Sequence, residues 1–174
     1  HPLPPFVVVE SLPFSVTLSL WLRFPSLFSS SFAMSSVRVA VRIRPFNTRE
    51  KEMNSVVCLD MQGVNTIIKN PETKEPKTFA FDFSYWSHDG FKEGPDGELI
   101  PLNDKYATQQ KVFQDLGQDV LTSAYDGYNS TLFAYGQTGA GKSFSMVGYG
   151  VNKGIIPMVC SEMFKTVEKG EGGK

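Results

Sequence analysis

The 174-residue chain is poor in the residues that would mark it as a metal, redox or nucleic-acid protein. It holds two cysteines, Cys58 and Cys160, two histidines and two tryptophans. Two cysteines with no paired spacing and no histidine cluster exclude a disulfide framework and a zinc site. They fit a reducing compartment and read as small buried hydrophobes. Net charge is −1, so nothing suggests a general nucleic-acid or membrane partner. No window is long and apolar enough to span a bilayer. What remains, with 41% hydrophobic residues, is a globular chain able to bury one core.

Residues 1–33 differ from the rest. They carry two formal charges, Glu10 and Arg23, with five prolines and seven serines. No helical or strand period is sustained. As a secretory signal the segment is poor, because the basic start is missing and Pro13 interrupts the apolar stretch. The segment reads as a disordered leader outside the native coding sequence, with Met34 as the native start and 34–174 as the folded part.

From Ser36 the pattern becomes regular. Val37, Val39, Val41 and Ile43 alternate with Arg38, Ala40, Arg42 and Arg44, which predicts a strand with one apolar face, closed by Pro45. Val56–Asp60 and Thr66–Lys69 read as a hairpin around Gln62-Gly63, and Asn70–Thr73 as a turn. Thr78–Tyr85 alternates as one strand, and 87–105 reads as a polar loop. Thr108 is a candidate N-cap for a helix whose stripe is Val112, Leu116, Val120 and Ala124, with Gly127 as its stop. A second helix is expected over Ile156–Glu168, with Pro157 in its first turn and a core-facing stripe of Met158, Cys160, Met163, Phe164 and Val167. The tail from Gly170 to Lys174 reads as loose.

The chemistry lies in Gly136-Gln137-Thr138-Gly139-Ala140-Gly141-Lys142-Ser143, which fits the phosphate-loop pattern G-x-x-x-x-G-K-[ST] without a mismatch. Glycines let the backbone turn tightly and aim consecutive N–H groups at phosphate oxygens. Lys142 supplies a point charge for the outer phosphates, and Ser143 a hydroxyl for magnesium. The context fits. Thr131–Tyr135 reads as a strand buried on both faces, and Phe144–Val147 can continue as a helix. A glycine-rich linker would need neither.

Phe133-Ala134-Tyr135 before this loop makes the stretch resemble the kinesin motor domain. Three more pieces agree in order: Val39–Asn47, Thr78–Asp82 and Gly154-Ile155-Ile156-Pro157. Ser84–His88 is similar to the transport-type kinesin-three subfamily. The resemblance spans about residues 36–169. It implies an α/β phosphate-loop NTPase fold of kinesin motor type: a three-layer sandwich, here incomplete, with a small β-hairpin lobe. It implies ATP and Mg2+ as cofactors, microtubules as partner, a cytoplasmic, cytoskeletal location and ATP-driven movement along microtubules in the full-length protein. It places Arg42, Arg44 and Pro45 beside the adenine and ribose, and Phe144 on the adenine's other side. Without the resemblance, Arg42 and Arg44 read as a solvated strand face and Phe144 as a core aromatic. Tyr85, Trp86 and His88 read as the cap of a sheet edge.

Two kinesin elements do not occur in these 174 residues. Phosphoryl transfer to water needs groups that orient the water and sense the γ-phosphate. In kinesins these are Asn-x-x-Ser-Ser-Arg and Asp-x-x-Gly-x-Glu. Asp60-Met61-Gln62-Gly63 resembles the second, but Asn65 replaces its Glu. The alternative to a motor is therefore a non-catalytic nucleotide-binding fragment. A small GTPase is disfavoured because Asn152-Lys153-Gly154-Ile155 lacks the Asp of a guanine reader. A myosin-type loop would carry acidic or serine residues in place of Gln137 and Thr138. The resemblance has a structural corollary. In the kinesin sheet the strands at 37–44 and 131–135 are not neighbours, and the strand between them comes from the motor's later part. Either an empty slot or a non-native pairing is expected there, with apolar faces left exposed.

Overall fold

The computed structural model describes residues 37–170 and the backbone of 6–12. A parallel sheet of four strands forms the centre, in the order β6-β2-β1-β9. These are β1 (Phe6–Leu12), β2 (Val37–Ile43), β6 (Phe83–Trp86) and β9 (Thr131–Tyr135). The slot between β2 and β9 is therefore closed, and the strand that closes it is β1, from the first residues of the sequence. β1 runs parallel to both neighbours, from Phe6↔Val37 to Leu12↔Ile43 and from Phe6↔Thr131 to Glu10↔Tyr135. The expectation that residues 1–33 lack regular structure is corrected at 6–12; residues 1–5, 13–36 and 171–174 lie outside the described residues.

β2 feeds two cores because alternate residues face opposite sides of the sheet. Ala40 packs with Tyr85, Ala107, Val112, Leu116 and Ile155 on the helical side. Val41 and Ile43 pack with Leu59, Met61 and Trp86 on the other. That second cluster rests on an antiparallel lobe of β3 (Leu59–Gln62), β4 (Asn65–Lys69) and β5 (Pro76–Ala80). The hairpin turns at Gly63, whose φ of 59° is left-handed. In the expected turn at 70–73, Asn70 Oδ1 accepts the Glu72 and Thr73 N–H groups.

Two expectations are revised and one element is added. Thr78–Tyr85 is two strands in two sheets, broken at Phe81-Asp82. Asp82 clips onto β2, its carboxylate accepting the Val39 N–H at 2.7 Å and its own N–H donating to the Val39 carbonyl at 3.0 Å. A short helix, α1 (Thr48–Glu52), follows Pro45 and starts with a capping box between Asn47 and Glu50. The loop at 87–105 contains a hairpin of β7 (Phe91–Glu93) and β8 (Leu99–Pro101).

The first long helix starts at its expected cap, where Thr108 Oγ1 accepts the Lys111 N–H. It runs as α2 (Gln109–Val112), a π-helical turn (Phe113–Gly117) and α3 (Gln118–Tyr125). Gly127 stops it, with a φ of 79°. α4 (Lys142–Met146) follows the phosphate loop; the hairpin of β10 (Gly148–Tyr149) and β11 (Asn152–Lys153) leads into α5 (Ile155–Glu168).

The α5 stripe is not core. Ile155 is buried and Val159 packs against the helical core, but Met163, Phe164 and Val167 are 42%, 69% and 65% exposed. Nor is β9 buried on both faces: Thr131, Phe133 and Tyr135 are exposed while Leu132 reaches the core. Cys160 is exposed and Cys58 half-buried, which corrects the reading of two buried thiols. Among the described residues no helix is long and apolar enough to cross a membrane.

Candidate functional site

The phosphate loop leaves the carboxyl end of β9, where ligands of open α/β sheets bind. Its backbone needs glycine: Gly136, Gly139 and Gly141 have φ values of 140°, 80° and 105°. The Ala140 N–H closes the turn onto the Gln137 carbonyl at 3.1 Å. Lys142 folds back over the loop, and its Nζ donates to the Gly136 and Gln137 carbonyls at 2.7 and 2.8 Å. Ser143 is exposed beside it. An anion entering the loop thus meets a lysine already at its mouth and a free-standing hydroxyl one residue on.

Arg44 ties this loop to β2. Its Nε donates to the Gly139 carbonyl at 2.6 Å, and its two terminal nitrogens hold the Glu50 carboxylate at 2.6 Å each. Glu50 also accepts the Asn47 N–H at 2.8 Å. The hydrogen bond from Arg44 holds the Glu50 carboxyl below its usual range. Glu50 was missed in the sequence, although Asn47-x-x-Glu50 is a legible capping-box signal.

Arg42 is not on a solvated face. It is 3% exposed. Its Nε donates to Ser87 Oγ at 3.0 Å, one terminal nitrogen to Gln109 Oε1 at 2.6 Å and Ser145 Oγ at 3.1 Å, and the other to the Ala107 carbonyl at 3.3 Å. Among the described residues no carboxylate pairs with it. Burial of the lone charge pulls its pKa down to about 10. The guanidinium lies 5.3 Å from the centre of the Phe144 ring, so cation and ring brace each other. Gln109, also missed, completes the brace by donating to the Phe144 carbonyl at 2.6 Å. A glutamine beside a helix cap gives no sequence signal of that role.

These groups enclose a cavity of about 600 Å³. It is lined by Thr138 to Ser145 of the loop and α4, by Arg42, Arg44, Pro45 and Ser87, and by the apolar and aromatic side chains of Phe91, Leu99, Tyr106 and Tyr149. Phe144 is half-buried and tilted 33° to Tyr149 with ring centres 6.0 Å apart, so it is a wall rather than a core residue. The structure brings together Arg42, Arg44, Pro45, Phe144 and the loop from Thr138 to Ser143 on this cavity. Gly136 and Gln137 stand behind it, where their carbonyls hold Lys142. Arg42 reaches the cavity as a wall, with its nitrogens engaged by protein.

A lysine-bearing, glycine-rich loop and several aromatic side chains lining the same cavity suit a ligand that joins phosphates to a flat ring. Comparison with known proteins agrees. The kinesin motor domain family matches residues 42–173. Kinesin-like protein KIF28 of Rattus norvegicus is 56% identical over 137 residues, 77% of this chain and 13% of that protein. Kinesin-like protein KIF1A of Rattus norvegicus is 45% identical over 139 residues, 78% of this chain and 8% of that protein. A solved structure of KIF14 residues 391–755, with ADP and in complex with a microtubule, superposes with a TM-score of 0.66 at 38% identity. It covers 76% of this chain and 34% of its own. The chain thus spans about an eighth of the first curated relatives and a third of the solved motor.

Proposed function

Because the chain belongs to the kinesin motor domain family, with a phosphate-loop NTPase fold, we propose that its cavity binds ATP with Mg2+. We further propose that it is the nucleotide-binding part of a microtubule-based motor working in the cytoplasm on the cytoskeleton. The observation that carries the reading is that the loop residues Lys142 and Ser143 and the aromatic residues Phe144 and Tyr149 line one cavity.

The residues fit both cofactors. Backbone N–H groups from Gly136 to Ser143 suit the phosphates, Lys142 exchanges two carbonyl contacts for phosphate oxygens, and the exposed Ser143 hydroxyl suits magnesium. Magnesium, when bound, neutralises charge that builds on the phosphates. Phe144 and Pro45 border the base; Arg44 holds the loop at Gly139 and so sets the height of the cradle. Arg42 supports Phe144 from beneath. Hydrolysis needs a group that orients the attacking water, and no kinesin switch motif occurs in the 174 residues. The reading for the chain itself is therefore binding without turnover, and movement belongs to the longer protein.

Fluorescent ADP and ATP titrations of the 174-residue chain test this, with phosphate release measured with and without microtubules. Saturable, magnesium-dependent binding without phosphate release is expected. No binding overturns the reading; microtubule-stimulated release overturns the assignment of binding without turnover.

A further inference from the structure

The hairpin of β7 and β8 is fastened by one side chain from outside it. We propose that this residue, Asn152, is a positioning residue for the nucleotide's ring: it holds the hairpin's apolar side chains on the cavity. This rests on the nucleotide-binding reading above.

Asn152 lies in β11 and does not itself line the cavity. Its Oδ1 accepts the Leu99 N–H at 3.0 Å, and its Nδ2 donates to the Gly97 carbonyl at 2.7 Å. Among the described residues, the hydrogen bonds from 91–101 to another segment go to Asn152 alone. The others close within the hairpin, as from the Gly94 N–H to the Glu98 carbonyl at 2.8 Å. Phe91 adds a ring contact with Tyr106, centres 5.0 Å apart.

Phe91 and Leu99 both line the cavity, so Asn152 holds the backbone of one lining residue directly. Its own cross-strand partner is Tyr149, which lines the cavity too. One side chain thus fixes Leu99 of one hairpin against Tyr149 of the other. The backbone of Asn152 is fixed in turn. Gly148 has a φ of 76°, and a Cβ there would fall 2.0 Å from the Asn152 carbonyl oxygen, so the tight closure of β10 on β11 needs glycine. The same carbonyl accepts Gln109 Nε2 at 3.4 Å, the amide that also donates to the Phe144 carbonyl.

Asn152 opens the segment that falls short of a guanine reader, and its amide is engaged by the Gly97 and Leu99 backbone instead. Its effect on a ligand therefore passes through Leu99, Phe91 and Tyr149, which suit a flat ring and offer nothing to phosphate. That separates it from Lys142 and Ser143.

The test compares ADP with inorganic pyrophosphate by calorimetry in Mg2+, for the full chain, Asn152→Ala and Asn152→Asp. With two hydrogen bonds lost, Asn152→Ala is expected to weaken ADP about 5-fold or more and to leave pyrophosphate within about a factor of two. Asn152→Asp keeps the acceptor for the Leu99 N–H and loses the donor to Gly97, so an intermediate loss is expected. ADP dissociation in stopped flow should speed by the same factors, since affinity changes within one site lie mostly in the off-rate. Hydrogen exchange at the Leu99 amide should be slow in the parent and fast in Asn152→Ala. Exchange at the buried Leu121 should be slow in both.

An unchanged ADP affinity in Asn152→Ala overturns the proposal and leaves nucleotide binding intact. Equal losses for ADP and pyrophosphate overturn it as well, because Asn152 then supports the whole cavity rather than the ring. Fast exchange at Leu99 in the parent removes the clasp, and fast exchange at Leu121 in Asn152→Ala makes the residue one of general stability; either overturns it. No ADP binding by the parent overturns the nucleotide reading and this one together.

Discussion

The Arg42 guanidinium donates to Gln109 Oε1 at 2.6 Å, and the amide nitrogen of the same Gln109 donates to the Phe144 carbonyl at 2.6 Å. One glutamine therefore joins β2, the start of α2 and the helix that follows the phosphate loop. It carries a buried charge on one side and an aromatic wall on the other. Gln109→Ala should leave an Arg42 N–H and the Phe144 carbonyl without these partners. A loss of about 1.5–3 kcal/mol in chemical denaturation is expected, with weaker ADP binding. Stability and affinity both unchanged would show that the brace is dispensable.

Lys142 separates holding from binding. Its Nζ rests on the Gly136 and Gln137 carbonyls, so it stabilises the empty loop and is placed for phosphate. Lys142→Met keeps the stem and removes the donors. A charge-assisted contact worth about 1.5–3 kcal/mol corresponds to roughly a 10- to 100-fold loss of nucleotide affinity. A fluorescent-ADP titration measures this, and an affinity within a factor of two of the parent would exclude Lys142 from the site.

The exposed face of α5 predicts solution behaviour. Phe164 and Val167 sit one turn apart, 69% and 65% exposed, and Phe133 and Tyr135 are exposed on β9. A double change, Phe164→Lys with Val167→Lys, removes apolar surface without touching a buried contact. Self-association in sedimentation velocity should fall, while stability moves by no more than about 1 kcal/mol. A large loss of stability would mean these side chains are packed after all.

Legibility followed the source of each constraint. Gly136 to Ser143 could be read outright because loop geometry dictates both residue type and spacing. The Thr108 cap, the Gly127 stop and the Gly63 turn were equally local. Long-range choices were not visible. Nothing in Thr78–Tyr85 says that Asp82 will bond to Val39 and split the alternation between two sheets. The Arg42 charge reads as solvated because its acceptors, Ser87, Gln109, Ser145 and the Ala107 carbonyl, come from three distant segments. The α5 stripe has the period of a core helix, yet only Ile155 and Val159 meet the core. Periodicity shows that a face is apolar, not that this chain supplies its cover. β1 is the sharpest case, since a strand paired on both edges with parallel neighbours needs no alternation to announce it.

The Arg44–Glu50 pair gives the loop a pH dependence whose sign is fixed. Both side chains are mostly buried, 16% and 17% exposed, and joined by two hydrogen bonds. The bond from Arg44, assisted by the Asn47 N–H, lowers the Glu50 carboxyl from its ordinary value near 4.5. A depressed carboxyl contributes stability that is fully present above its unfolded value and is lost as pH falls through its folded one. Glu50→Gln removes the charge at every pH. The stability difference between parent and variant should therefore be constant above pH 4.5, at about 1–3 kcal/mol, and shrink as pH drops below it. Because Arg44 also holds the Gly139 carbonyl, ADP affinity should weaken in Glu50→Gln at neutral pH and approach that of the parent in acid. Denaturation curves across pH decide it: a difference that persists undiminished at low pH would mean that the capping bonds of α1, and not the charge on Glu50, hold this edge of the site.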